Sequence, residues 1–111
     1  MVDRGPSWCR IPASRQARHP HPRDLNYTLR LDWTGNSGES YINVVTFSVK
    51  GSKVTTMSTS ANADGVILRG GPRNWSAFTT YTLEQGRRFY KRCLADGYKP
   101  VDQQPELTYA Y

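Results

Sequence analysis

Histidine is missing from most of this chain: the two histidines lie before residue 22, and the stretch from Leu25 to Tyr111 has none. Histidine is the side chain that most often transfers protons near neutral pH. The sequence also has no P-loop, no GxGxxG after a predicted strand, no GxSxG and no CxxC. We therefore predict that the protein is not an enzyme and holds no cofactor, with catalysis by Asp64 or Cys93 as the remaining alternative.

Cysteine is equally scarce, with Cys9 near the start of the chain and Cys93 in a predicted helix. Their positions do not require a disulfide. Cys9, His19 and His21 lack the fourth ligand of a closed zinc site, so we predict no metal.

Long apolar runs are absent too, and none approaches the 18 residues that a membrane-spanning helix needs. No apolar segment follows the N-terminal arginines, so a secretory signal is not expected. A cytoplasmic protein is predicted.

The positive charge is concentrated at one end of the chain. The net charge is +6, and residues 1–23 hold five arginines against one aspartate, whereas residues 24–111 hold ten basic and eight acidic side chains. Four prolines and no regular period predict that residues 1–24 are a disordered basic arm or extension. A polyanion-binding arm, an organelle-targeting segment and an extension from an upstream start remain open interpretations. Residues 25–100 are predicted to be a single domain and residues 101–111 a tail.

Alternating polar and apolar residues predict an antiparallel sheet of four to five strands. The predicted strands are Asn26–Trp33, Tyr41–Val49, Val54–Ala61, Val66–Leu68 and Trp75–Tyr81. Gly51 and Ser52 suit a two-residue hairpin turn, which would place Lys50 opposite Lys53. Because facing like charges are destabilising, either the turn is looser, which is favoured, or the lysine pair binds an anion. The third strand is rich in threonine and serine, which predicts exposure or cover by another surface.

One helix is predicted from Leu83 to Asp96, since Thr82 and Gln85 have the capping-box spacing and Gly97 suits a left-handed ending. The stripe that is predicted to pack on one face of the sheet consists of Gly86, Phe89, Tyr90, Cys93 and Leu94. The predicted fold class is therefore α+β, with one C-terminal helix on an antiparallel sheet.

Basic and aromatic residues form the candidate binding face. The set consists of Lys50, Lys53, Arg69, Arg73, Trp75, Arg87, Arg88, Lys91 and Arg92. Tyr109 and Tyr111 alternate in the tail, which could dock as an edge strand or act as partner anchors. Together with the polar third strand, this tail also leaves a homodimer formed by edge pairing open.

The order of elements, ending in TLEQGRRFYKRCLADGY, resembles the layout of WGR domains over about residues 27–99. In that family a helix with a central aromatic ends in a Gly-Tyr like Gly97-Tyr98. The Trp-Gly-Arg triplet itself is replaced, at Ser58-Thr59-Ser60 or Ala63-Asp64-Gly65, so DNA contacts made through it are not carried over. The resemblance implies a small sheet-plus-helix module.

The predicted function is that of a small binding module that docks on an acidic partner protein or assembly through a basic helix face. Nucleic-acid binding, to DNA or RNA, by the same basic and aromatic residues is the alternative.

Overall fold

The computed structural model describes residues 25–110. An antiparallel sheet and one helix make up this part of the chain, which confirms the predicted α+β class. The sheet has six strands rather than four or five. The elements are β1 (Leu25–Thr34), β2 (Ser40–Lys50), β3 (Lys53–Asn62), β4 (Ile67–Gly70), β5 (Phe78–Thr82), α1 (Leu83–Ala95) and β6 (Lys99–Val101). The predicted arm of residues 1–24 lies outside the described residues.

The first three strands form a meander, and the sheet order is β4-β3-β2-β1-β6. Lys50 pairs directly with Lys53, so Gly51 and Ser52 make a tight two-residue turn and the expected looser turn is wrong. The ladder between β2 and β3 contains ten residue pairs. One exposed pair of like charges, which costs less than about 1 kcal/mol, does not displace it.

Strand β3 has hydrogen-bonded neighbours at both edges, with β2 on one side and β4 and β5 on the other. Its polar residues Thr56 and Thr59 are buried, at 3% and 4% exposed. The threonine-rich strand is therefore an interior strand. It is not a free edge at which the homodimer that the sequence leaves open could form by strand pairing.

Strands β4 and β5 follow one another along the same edge of β3. Between the pair Thr59–Gly70 and the pair Met57–Phe78, β3 advances two residues while its neighbour advances eight. The two strands thus form one edge strand that is interrupted by a loop, which we call the edge loop (residues 71–77). The edge loop contains a short 3₁₀ turn, Trp75–Ala77, where the sequence predicted continuous strand.

Helix α1 begins and ends as its sequence predicts. The Thr82 hydroxyl accepts from the Gln85 amide, and the Gln85 side chain accepts from the Thr82 amide, at 3.1 Å each. At the other end the Tyr98 amide donates to the Cys93 carbonyl and the Gly97 amide to the Leu94 carbonyl. Gly97 has φ +106°, the left-handed conformation of a Schellman ending.

The helix packs on one face of the sheet, which we call the helix-side face. The core there consists of Leu29, Val45, Phe47, Val49, Val54, Tyr90 and Cys93. A Cβ on Gly86 would lie 2.7 Å from Val54, so the glycine lets the helix backbone approach β3 closely. The helix ends near Leu31 of β1, and the chain then pairs with β1 as β6.

The opposite face of the sheet, which we call the far face, is covered in part by the C-terminal tail. The Ile67 amide donates to the Thr108 carbonyl at 2.7 Å, and the Thr108 amide donates to the Gly65 carbonyl at 2.8 Å. Leu107 and Tyr109 line a small cavity with residues of the far face, among them Val44, which is 3% exposed. The tail therefore docks within the chain through a single parallel bridge rather than as an edge strand.

Candidate functional site

Three cations lie on the solvent side of α1. The burial of Gly86, Tyr90 and Cys93 fixes the rotation of the helix. Three cationic residues are exposed on the other side, and we call them the basic helix face: Arg88, Lys91 and Arg92. The helix therefore presents a patch of positive charge, as the sequence predicted for these three residues.

One member of this patch, Arg88, forms an ion pair with a carboxylate. Glu84 Oε2 lies 3.0 Å from Arg88 Nη2, one helical turn away, and both side chains are more than 70% exposed. Such exposed pairs contribute only about 0–1 kcal/mol. Arg88 thus remains available to another partner. Arg87, the fourth predicted helix cation, is half-buried and lies on the flank of the helix.

The hairpin lysines do not join the basic helix face. Val49 and Val54 lie in the helix-side core, and side chains alternate between faces along a strand. Lys50 and Lys53, next to them in sequence, therefore belong to the far face. The structure does not bring these two predicted residues together with the helix cations.

Two of the remaining predicted residues, Arg73 and Trp75, lie in the edge loop and differ in their surroundings. The Arg73 guanidinium lies over the Tyr109 ring, 4.4 Å from its centroid, and the Arg73 amide donates to the Tyr109 hydroxyl at 2.6 Å. Arg73 thus fastens the tail, and Tyr109 is held within the chain rather than presented as a partner anchor. Tyr111, the other predicted anchor, lies outside the described residues. Trp75, in contrast, is 85% exposed.

Arg69 lies beside a polar cavity of about 240 Å³ where β4 and β5 diverge. Hydroxyl and amide side chains dominate its lining, which contains no carboxylate. The lining residues are Ser58, Thr59, Ser60, Arg69, Gly70, Asn74, Ser76, Ala77 and Thr79. The Asn74 side chain accepts from the Ser76 amide at 3.1 Å and from its hydroxyl at 2.7 Å, which fixes the rim of the cavity.

The prediction from sequence missed an aromatic pair that lies on the helix-side face, on strands β1 and β2. The rings of Trp33 and Tyr41 stack with centroids 4.5 Å apart. Trp33 Nε1 donates to Asn43 Oδ1 at 3.1 Å, and the Ser60 hydroxyl donates to the same oxygen at 3.1 Å. The signal in the sequence is Asn43, a polar residue that interrupts the apolar face of β2.

The Cys93 thiol is poorly suited to nucleophilic chemistry. It is 4% exposed, and burial together with the charge of Asp96 raises its pKa from 9.0 to about 11, with Arg92 opposing the rise. The thiolate is the reactive form. At neutral pH the side chain is therefore a protonated, packed group.

We expect Cys93 in the native chain to react with iodoacetamide at pH 8 about a hundredfold more slowly than in urea, because its thiolate fraction falls about tenfold per unit of pKa and burial slows it further. Mass spectrometry of the Cys93 peptide measures this, with the same thiol in urea as the reference. Because the pKa is higher in the folded chain, the stability due to the neutral thiol is present below pH 9 and lost as the pH rises towards 11. Equal rates for Cys93 in the native chain and in urea at pH 8 would contradict this description.

Neither a metal-ligand cluster nor a membrane-spanning helix is found in the described part of the chain. Residues 25–110 contain no cluster of three or more histidine, cysteine, aspartate or glutamate side chains that could hold a metal ion. The helix in this region is too short and too polar to cross a bilayer.

Comparisons with known proteins do not assign the chain to a family. No family model matches the sequence. No curated protein and no solved structure matches it either.

Proposed function

We propose that this protein is a non-enzymatic binding module that docks on an acidic partner protein or assembly through the basic helix face. The observation that supports this most strongly is the placement of Arg88, Lys91 and Arg92 on one exposed side of α1, whose opposite side is buried in the core. A rigid helix that presents a cationic patch suits a complementary acidic surface, because electrostatic complementarity steers association.

The spacing of these cations adds to the argument. Arg88 and Arg92 are four residues apart and Arg88 and Lys91 three apart, so their charges repel one another by roughly 0.2–0.5 kcal/mol per pair. One carboxylate, Glu84, forms an ion pair with Arg88, and a second, Asp96, lies at the helix end one turn after Arg92. An acidic partner would relieve the repulsion.

Nucleic acid is the second candidate for the same surface. Lysine and arginine side chains bind the phosphates of nucleic acids as readily as they bind carboxylates. Such binding releases counterions from the nucleic acid, so its affinity falls steeply as the salt concentration rises. The exposed cations of α1 would then contact phosphates rather than acidic side chains.

The experiment compares two charge reversals of equal size in the full chain. Lys91→Glu with Arg92→Glu reverses two of the three charges of the basic helix face, whereas Lys53→Glu with Lys99→Glu changes the net charge equally among exposed residues away from it. Binding to a labelled polyglutamate peptide and to labelled duplex DNA is measured by fluorescence anisotropy at an ionic strength of about 0.15 M. We expect the helix variant to bind polyglutamate about tenfold more weakly and the control variant to lose less than threefold, since each exposed charge contact contributes about 0.2–1 kcal/mol.

The two probes separate the candidates. If the helix variant loses affinity for duplex DNA only, the basic helix face is a nucleic-acid-binding surface. Equal losses in both variants would mean that net charge, including that of the basic arm, drives the binding, and the proposal would be withdrawn.

A further inference from the structure

The helix leaves part of the helix-side face uncovered. Leu31, Asn43, Ser60 and Arg69 pair in register across β1, β2, β3 and β4. Residues that pair directly across antiparallel strands share a face. Trp33 and Tyr41 form the next row, two residues further along their strands. We call this surface the open strip and define it as Trp33, Tyr41, Asn43, Ser60 and Arg69. Its two ends, Trp33 and Arg69, are exposed, whereas the residues between them are partly buried and Asn43 forms a side-chain hydrogen bond with Tyr98.

One end of the open strip is an aromatic platform that is fixed before any ligand arrives. Trp33 is stacked on Tyr41 on one side, held by its indole N–H to Asn43, and still 43% exposed. A ring that is already held loses little conformational freedom when another ring stacks on it. A nucleobase stacks well on such an indole.

The other end of the open strip has an exposed cation beside a cavity. Arg69 is exposed, and no ion pair joins it to another residue of the described chain. The adjoining cavity is lined by hydroxyls and by the Asn74 amide, and it is large enough for a phosphate group. Trp75 lies in the chain between Asn74 and Ser76, two residues that line the cavity, and its 85% exposed ring is available for stacking.

Charge distinguishes the two ends. Glu39 lies against the Tyr41 side, near Gly35, and accepts a hydrogen bond from the Ser37 amide at 3.0 Å. A carboxylate there disfavours phosphate and leaves the stacking surface for an uncharged base. The cationic Arg69 end favours the phosphate.

We infer that the open strip binds a short single-stranded nucleic acid, with one base on Trp33 and a backbone phosphate at Arg69 and the adjoining cavity. Three strand spacings separate β1 from β4, about 14 Å, a span that a few nucleotides cover. Only unpaired bases can stack on the platform, so a duplex does not fit this mode. An acidic peptide would find a single free cation and two indoles, a poor match to its charge.

This site is separate from the basic helix face, so either proposal can fail without the other. The test uses the full chain and a fluorescein-labelled thymidine hexanucleotide at an ionic strength of about 0.15 M. Trp33→Ala and Arg69→Gln each remove one end of the site. Phe78→Ala and Lys53→Gln are the matched controls, since Phe78 is 42% exposed and both residues lie on the far face.

We expect each open-strip variant to bind the hexanucleotide roughly tenfold more weakly, and each control to bind as the parent chain does, because one stacked base or phosphate contact supplies that much affinity. Trp33→Phe keeps a stacking ring and should retain most of the affinity, which distinguishes lost stacking from a folding defect. In NMR spectra the indole N–H signals of Trp33 and Trp75 should shift on titration.

Several results would overturn the inference. Tighter binding of duplex than of single strand, equal weakening in the controls, or a shift of the Trp8 indole signal alone would each exclude the open strip as the site. A polyglutamate peptide that shifts the Trp33 signal as strongly would assign the strip to acidic proteins. Loss of affinity in Lys91→Glu with Arg92→Glu, but not in Arg69→Gln, would assign nucleic-acid binding to the helix.

Discussion

Replacing Gly70 with alanine is expected to lower the free energy of unfolding by about 4 kcal/mol, a loss at the upper end of those caused by single substitutions. Gly70 has φ +76°, a conformation that residues with a side chain rarely adopt. A Cβ at this position would also overlap the carbonyl oxygen of Ser58, which belongs to the backbone of β3. Because neither backbone can yield without breaking the ladder, β4 would have to separate from β3.

Gly51→Ala is the matched control. Gly51 also has a left-handed backbone, with φ +61°, but a Cβ there would meet nothing within 4 Å. The conformational cost alone is roughly 1–2 kcal/mol. Urea denaturation followed by circular dichroism measures both variants, and equal losses would show that the contact with Ser58 contributes nothing.

The same substitution bears on the proposed nucleic-acid site. Gly70 follows Arg69 directly and lines the polar cavity. Detachment of β4 would therefore remove the arginine from the open strip, so Gly70→Ala should weaken hexanucleotide binding at least as much as Arg69→Gln does, roughly tenfold.

Truncating Phe47 to alanine is expected to lower the free energy of unfolding by about 3–5 kcal/mol, the range for large-to-small changes in a packed core. Phe47 is fully buried, and its ring lies 5.1 Å from that of Tyr90 and 5.6 Å from that of Phe89. It thus joins β2 to the helix, and its loss leaves a cavity between the two layers.

Phe78→Ala provides the comparison for this prediction, since Phe78 is 42% exposed and lies on the far face. We expect a loss of less than about 1.5 kcal/mol, because only part of the ring leaves water on folding. Thermal unfolding monitored by calorimetry ranks the two variants. A Phe47→Ala protein as stable as Phe78→Ala would place the core elsewhere.

The parts of the fold that depend on local signals were predictable from sequence. The helix has both of its capping bonds and a left-handed glycine, and all three are written in residues close together in the chain. Gly51 and Ser52 likewise indicate the two-residue turn that sets the register of β2 and β3, but the repulsion between Lys50 and Lys53 was given too much weight and a looser turn was wrongly favoured. Short-range hydrogen bonds and turn geometry decide these features.

Features that depend on tertiary contacts were not predictable. Strand β6 has three residues, one of them Pro100, and forms only because the helix delivers it to the edge of β1. The 3₁₀ turn at Trp75 follows from the Asn74 cap, whereas alternation alone indicated strand. In the tail, the alternation of Leu107 and Tyr109 fits a strand and a docked segment equally well.

The candidate sites show the same division. The three cations of the basic helix face were predicted because helical periodicity sets them opposite the buried stripe. Their separation from Lys50 and Lys53 follows from strand register, which alternates faces along β2 and β3. The open strip combines residues from four strands, so no single stretch of sequence reveals it.

The edge loop also affects how the chain behaves at high concentration. A sheet edge with a long row of free amides and carbonyls recruits strands from other molecules and leads to aggregation. Here the outer edges consist of short pieces, among them the five residues of β5 and the four of β4 on one side, and the three of β6 and residues 31–34 of β1 on the other. A strand that added to β5 would reach the edge loop within five residue pairs. The interruption therefore limits strand pairing between molecules at this edge, and it also exposes Trp75.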